Sequence, residues 1–407
     1  MSPGPSSHSE QLDARPRIAL LCQSLSSVGG TQRVIATLSH LLSPHFDTYE
    51  LSFDPPGTAR YFESPAHFVP LGSSWRLPLI FRPVSYAIDA YRLRRAKRRL
   101  GVVLTISNLW RADLLSILSA GSDKKVSICH INIVDNKTNR LVLQFRRLAS
   151  LVYRQFDSVV SVSHPLEQEV RRLFGLSRLK SRVIHNCVPS RTVETKVQLA
   201  PRTRIVWCGR FVWEKNVLPL VQAFADAFRT NSSLQLVMIG DGPLRPLVEA
   251  EAQRLGLSVG TSFDECDTAV IMMGFVHDPA NTIAKCDFQA LPSNAEGLGL
   301  VLIEGFGMSV PALASDCSGG GVHDAMGGRL PYRPGRLEPE ETSCGYLLPV
   351  PDPTAPMTME TWRSHILLMA ENVRLRSRLA AGAKARAQQF SPEFILPQWL
   401  KLIAEIL

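Results

Sequence analysis

The patterned part of the chain opens with RIALLCQSL (17–25), an apolar run of strand length, followed at once by SVGGTQ and RVIATLSHLL. Val34, Leu38, Leu41 and Leu42 keep a helical period. Strand, glycine turn and helix make the start of a βαβ unit. Further strand-length runs are VVLTIS (102–107), KVSICHI (125–131), SVVSVS (158–163) and SRVIHNCV (181–188), with helical segments between them. They predict a parallel sheet with helices on both faces. The pattern then restarts, with strands over 204–210, 234–243, 269–276, 286–293 and 311–316, and helices over 218–229, 244–255 and 300–308. Residues 318–345, rich in Gly, Pro and charge, read as a long loop. The closing FSPEFILPQWLKLIAEIL reads as a helix interrupted or started at Pro397. The expected class is α/β: two doubly wound domains in tandem, over 17–190 and 202–389, after a polar, disordered tail over 1–16. Such domains bind ligands at the carboxyl ends of their strands, facing the cleft.

Composition narrows the class. The chain has 407 residues, 45% hydrophobic and 20% charged, which excludes wholesale disorder. Its eight cysteines form no CxxC pair. That argues against a zinc site or a secreted disulfide framework and for reduced thiols in the cytosol. No apolar run reaches the ~18 residues of a spanning helix, and the tail lacks the apolar core of a signal peptide. Charge is unevenly placed. Residues 1–190 hold 25 Lys and Arg against 13 acidic residues, whereas residues 191–407 hold 20 against 23. The segment RLRRAKRR carries Arg92, Arg94, Arg95, Lys97, Arg98 and Arg99. A basic half of this kind suits a polyanionic surface. Aromatic residues do not interleave with the basic run, which disfavours nucleic acid and leaves an anionic membrane or a solvated helix face. Val84, Ala87, Ile88 and Tyr91 share one helical face just before the cluster and suit a membrane interface.

Three motifs carry candidate chemistry. Gly29-Gly30 after the first strand lets backbone approach a ligand, at a helix start that presents N–H groups to an anion; a tight structural turn is the alternative. In CGRFVWEKN (208–216), Arg210 and Lys215 follow a strand end and together suit a diphosphate, with a surface salt-bridge cluster as the bland reading. In LPSNAEGLGLVLIEGFGMSVPALASD (291–316), Glu296 and Glu304 flank a glycine-rich turn and helix start, where carboxylates can accept hydrogen bonds from sugar hydroxyls.

At this point the chain resembles the family-four retaining glycosyltransferases of the GT-B fold. GGTQRVIATL, VSICH, SVVSVS, VIHNCV, GRFVWEKNVLPLVQAF, LVMIGDGPLRPLVE, MGFVHD, LPSNAEGLGLVLIEGF, SDCSGG and GYLLPVPDP occur in the family's order, and Glu296 and Glu304 match its E-x7-E signature. The resemblance implies two Rossmann-like domains facing a cleft, with a terminal helix (390–407) crossing back onto the first. It implies that Gly29 and Gly30 meet the donor diphosphate from the first domain, and that Arg210 and Lys215 bind it from the second. Glu296 would contact the donor sugar, aided by backbone N–H groups of Gly297, Leu298 and Gly299. Glu304 would hold the ribose, and Phe275 and Val276 would face the base. His130 matches a histidine near the donor sugar, a buried core histidine being its other reading.

There are departures: Ser309 stands where the family commonly has glycine, and SGGGVHDAM carries Asp324 near a position the family gives to glutamate. No D-x-D motif occurs, so the expectation is no metal and no cofactor, with diphosphate charge met by Arg210, Lys215 and helix N-termini. The implied activity is transfer of a hexose or N-acetylhexosamine from a nucleotide sugar, UDP-linked before GDP-linked, to a lipid-linked or membrane-proximal glycan. The expected place is cytoplasmic, peripheral at the membrane. A UDP-sugar 2-epimerase-type isomerase and a non-catalytic subunit of the same fold are the alternatives.

Overall fold

The structure is a computed structural model that describes residues 15–73, 82–130, 146–189, 202–263, 265 and 267–407. The expected tail lies outside the described residues except for Arg15 and Pro16, and so does most of the expected domain junction. The described chain divides into two compact units, one up to Ser127 together with Glu405–Leu407, the other Ile128–Ala404.

The first sheet is built from β1 (Arg17–Cys22), β2 (Asp47–Ser52), β3 (His67–Pro70), β4 (Leu104–Asn108), β5 (Lys124–Cys129), β6 (Ser158–Ser161) and β7 (Ser181–Val183). Its order is β3-β2-β1-β4-β5-β6-β7. β1 pairs in parallel with β2 and β4, β2 with β3, and β6 with β7. The buried residues of β1 include Ile18, Leu20 and Leu21, each fully buried, as its unbroken apolar run requires. β2 and β3 were not expected. β2, DTYELS, is polar, yet Glu50 is buried in it. Ser39 and Ser64 donate to Glu50 Oε1 at 2.5 and 2.6 Å, and Arg60 Nη1 lies 3.1 Å from Oε2. A buried carboxylate is tolerated when its lone pairs are filled in this way.

The basic run lies in the helix Arg82–Leu100. Its inward stripe, Ser85, Asp89, Leu93 and Lys97, recurs every fourth residue and is buried. Lys97, expected at a membrane surface, is instead a core residue. Its Nζ is 2.9 Å from both oxygens of Asp123, and Thr105 donates to the same carboxylate at 2.6 Å. Burial outweighs this pairing and holds the Lys97 ammonium below the usual lysine range. Asp89 is likewise buried against Arg111, at 2.8 Å. Val84, Ala87, Tyr91, Arg92, Arg95, Arg98 and Arg99 remain on the exposed side.

The second sheet comprises β8 (Thr203–Cys208), β9 (Leu234–Ile239), β10 (Val259–Gly260), β11 (Val270–Gly274), β12 (Phe288–Leu291), β13 (Ala312–Ser315), β14 (Glu340–Thr342) and β15 (Gly345–Leu348). The order is β10-β11-β9-β8-β12-β13-β15-β14, parallel except for the β14–β15 pair. Order reverses between β8 and β12, so the loops following these two strands flank a crevice. The core beneath is a cluster that includes Trp207, Phe224, Phe288 and Trp362.

Two expectations need correction here. Residues 318–345 are not one long loop: they contain the helix Gly321–Met326 and β14. Two of their charges are turned inward: Arg336 Nη2 lies 2.7 Å from Asp316 and 2.9 Å from Glu340. The C-terminal helix begins at Pro392 and runs through Pro397 to Ile406. Just before it, the Phe390 carbonyl accepts from Val188 N–H at 2.9 Å.

Candidate functional site

The crevice at the β8–β12 reversal is made by two loops bonded to each other. After β8, Trp213–Lys215 forms a 3-10 turn closed by Asn216 in the left-handed region, φ 50°. The Asn216 side chain donates to the Pro351 carbonyl at 2.9 Å, which anchors that conformation. After β12, Asn294 N–H donates to the Glu214 carbonyl at 2.9 Å, and its side chain donates to the Trp213 carbonyl at 3.0 Å. Asn294 therefore aligns the two loops. The result is that Lys215 Nζ lies 2.5 Å from Glu296 Oε1, with Ser293 donating to the same oxygen at 2.8 Å. The Glu296 side chain is only 11% exposed. In so enclosed a place a carboxylate without a cation would be strongly destabilised. Arg210 follows β8 on the exposed side and has no carboxylate partner among the described residues.

Gly297, Leu298 and Gly299 lead into the helix Leu300–Gly307. Among the described residues their N–H groups donate to no carbonyl and no side chain. They sit beside the helix start, where an anion or a hydroxyl oxygen is favoured. Two glycines fix this loop. Gly299 caps the helix at φ 74°, a conformation that side chains disfavour. A Cβ on Gly321 would stand 1.7 Å from the Gly297 carbonyl oxygen, so only glycine lets the helix Gly321–Met326 support the loop.

The remaining candidates are spread more widely. Glu304 is half-buried within the helix Leu300–Gly307. Phe275 and Val276 follow β11, with Phe275 56% exposed and Val276 packed on an apolar cluster. Gly29 caps the helix Gly30–Leu42 in the first unit, and the space about the Gly30 α-carbon is open. His130 follows β5, buried, and burial pushes its pKa down to about 4, so the ring is neutral at pH 7. The structure thus brings Arg210, Lys215, Glu296 and the 297–299 amides to one strand reversal. Ser293, Asn294 and Asn216 were missed. The run LPSN after a strand hinted at the first two, and the end of CGRFVWEKN at Asn216.

Two family models match the chain, one for each sheet. Residues 28–191 match Glycosyltransferase Family 4, and residues 202–348 match Glycosyl transferases group 1. The chain therefore carries a Glycosyltransferase Family 4 domain followed by a Glycosyl transferases group 1 domain. A Campylobacter jejuni N-acetylgalactosamine-N,N'-diacetylbacillosaminyl-diphospho-undecaprenol 4-alpha-N-acetylgalactosaminyltransferase is 25% identical, over 75% of this chain and 82% of its own length. The amylovoran biosynthesis glycosyltransferase AmsD of Erwinia amylovora is 23% identical over 94% and 98%. Among solved structures, Anabaena HepE in complex with UDP and glucose matches with a TM-score of 0.72 at 18% identity, covering 96% of this chain and 100% of that one. The lipopolysaccharide outer core galactosyltransferase WaaB matches with a TM-score of 0.70 at 18% identity, over 96% and 100%. The glycosyltransferase fold is therefore GT-B, with two Rossmann-like parallel-sheet domains. Among the described residues no helix is long and apolar enough to cross a membrane.

Proposed function

We propose that the chain is a retaining glycosyltransferase that uses no metal at the diphosphate. It moves a hexose or N-acetylhexosamine from a UDP-sugar to a lipid-linked or membrane-proximal glycan. The observation that carries this reading is the Lys215–Glu296 pair beside Arg210 and the open amides of 297–299. The guanidinium and the ammonium suit the two phosphates of a leaving nucleoside diphosphate, and the charge that develops there is stabilised electrostatically. Glu296 and the 297–299 amides offer acceptors and donors to sugar hydroxyls. Glu304 is assigned to the ribose, Phe275 and Val276 to the base, and Gly29 and Gly30 to the diphosphate from the first domain. His130, kept neutral, serves as a hydrogen-bonding partner of the donor sugar and not as a cation. In the retaining step the acceptor hydroxyl attacks on the face the diphosphate leaves, and its proton passes to the departing phosphate oxygen. The sugar–phosphate bond breaks as the new glycosidic bond forms.

Named relatives support the acceptor class, since one carries a diphospho-undecaprenol substrate in its name and another serves amylovoran biosynthesis. The exposed arginines of the helix Arg82–Leu100 are assigned to an anionic leaflet. The deciding experiment incubates the chain with UDP- and GDP-sugars and an undecaprenyl-diphosphate-linked saccharide, and reads the product anomer by NMR. An α-linked product from an α-linked UDP-sugar is expected. Inversion at the anomeric carbon, or sugar interconversion without acceptor, would overturn the reading.

A further inference from the structure

A second cluster lies in the unit Ile128–Ala404, on different residues. His164 begins the helix His164–Phe174, His185 follows β7, and Asp324 lies in the helix Gly321–Met326. His164 Nδ1 is 3.0 Å and His185 Nε2 is 3.1 Å from the same Asp324 Oδ2, and the two ring centroids are 5.5 Å apart. All three ligand atoms lie within 4.8 Å of one another. We infer that His164, His185 and Asp324 form a binding site for a divalent transition metal, zinc above all. This departs from the expectation of a metal-free chain, which rested on cysteine spacing and on the diphosphate; the cluster contains no cysteine.

Four observations carry the inference. First, zinc bonds of about 2.0–2.1 Å in a tetrahedron separate neighbouring ligand atoms by roughly 3.3 Å, close to the two nitrogen–oxygen distances here. Second, two imidazoles with one carboxylate suit zinc, nickel or copper, and not magnesium or calcium. Third, the site is held from behind and open in front. The His185 ring lies edge-on against Phe390 at 5.2 Å, and His164 N–H donates to Asp324 Oδ2 at 2.7 Å, whereas the His164 side chain is 64% exposed. Water can therefore complete the coordination, the arrangement of a three-ligand zinc site. Fourth, the nearby cation, Arg386, bonds to the main-chain carbonyls of Asp324 and Ala325 and leaves the carboxylate to the imidazoles.

On binding, each imidazole presents the nitrogen that now faces Asp324 as a lone pair and carries its proton on the other ring nitrogen. Two N–H···O bonds are exchanged for two metal–nitrogen bonds, and the carboxylate supplies the third. Gly321, in the same helix as Asp324, packs on the carbonyl of Gly297. A metal at this place clamps the helix that supports the 297–299 amides.

The inference does not rest on transfer activity, and its test reads binding. The full chain, stripped with chelator and desalted, is titrated with zinc against a chromophoric competitor at neutral pH. One equivalent taken up by the wild type is expected, with affinity more than about tenfold weaker in His164→Gln, His185→Gln and Asp324→Asn. Circular dichroism confirms that each variant is folded. Cobalt in place of zinc is expected to give a visible spectrum without a thiolate charge-transfer band. No stoichiometric uptake, equal uptake by all three variants, or a thiolate band would overturn the inference. Zinc binding without sugar transfer would sustain it and reject the proposed function instead.

Discussion

At the scale of single residues, the site depends on a charge that is enclosed and answered. Removing Lys215 leaves the Glu296 carboxylate without its cation, still held by the Ser293 hydroxyl, and takes one cation from the leaving group. Both Lys215→Met and Glu296→Gln are expected to lower kcat by roughly 10²-fold or more while the chain stays folded. Wild-type kcat in either, at saturating donor and acceptor, would remove that residue from the site. His130 gives an independent expectation. Its folded pKa, about 4, lies below the ordinary histidine value of 6.5, so the unfolded chain binds the extra proton first. Its contribution is thus fully present above pH 6.5 and is lost as pH falls from there towards 4, by about 3 kcal/mol in all. Urea unfolding across that range should show a steeper fall for wild type than for His130→Asn. Parallel curves would show that burial does not hold the ring neutral. Arg210, Lys215 and Glu296 were legible because each follows a strand end in a parallel sheet. Asn294 was not, because its work is to bond two main-chain carbonyls, and no sequence pattern records a partner that only folding supplies.

At the scale of elements, the basic helix shows what periodicity reads and what it overlooks. Six of the eight residues of RLRRAKRR are cationic, yet every fourth position of the helix Arg82–Leu100 turns inward, and Lys97 falls on that stripe. Its need for a buried partner, and the buried carboxylate of Asp123, could not be paired from sequence because a strand and the helix Trp110–Leu118 lie between them. β2 was overlooked for a similar reason, since Glu50 is made tolerable by Ser39, Ser64 and Arg60 from elsewhere in the chain. The division of labour within the helix is testable in one pair of variants. Lys97→Met leaves buried Asp123 with only the more distant Lys125, at 3.6 Å, and the Thr105 hydroxyl; it is expected to cost up to about 3 kcal/mol in unfolding free energy, with binding to anionic vesicles unchanged. Changing Arg95, Arg98 and Arg99 to Gln, and keeping Arg92 because it lies 3.6 Å from buried Asp89, is expected to leave stability nearly unchanged. It should weaken vesicle binding by up to about 1 kcal/mol per charge, and high salt should do the same to wild type. Equal co-sedimentation of the two proteins with anionic vesicles would return the arginines to a solvated face.

At the scale of the whole molecule, two sheets were legible from apolar runs that restart after residue 202, and the family resemblance agreed with both domain models. What stayed hidden were cross-connections such as Asp324 with His164 and His185, which join residues 160 and 139 positions apart. Two kinds of metal dependence can now be told apart. If side chains meet the diphosphate charge, UDP binding needs no metal, and UDP at 100 times its Kd stabilises the native state by about 2.7 kcal/mol. The rise in Tm produced by UDP is expected to be the same in EDTA as in magnesium or manganese. A rise that appears only with magnesium or manganese would show that the diphosphate is bound through a metal, and the roles given to Arg210 and Lys215 would fall. Zinc behaves differently in the same experiment. It is expected to raise Tm without UDP, to do so in Glu296→Gln as in wild type, and to have no effect on Asp324→Asn. The two additions therefore act on separate residues, and each can fail without the other.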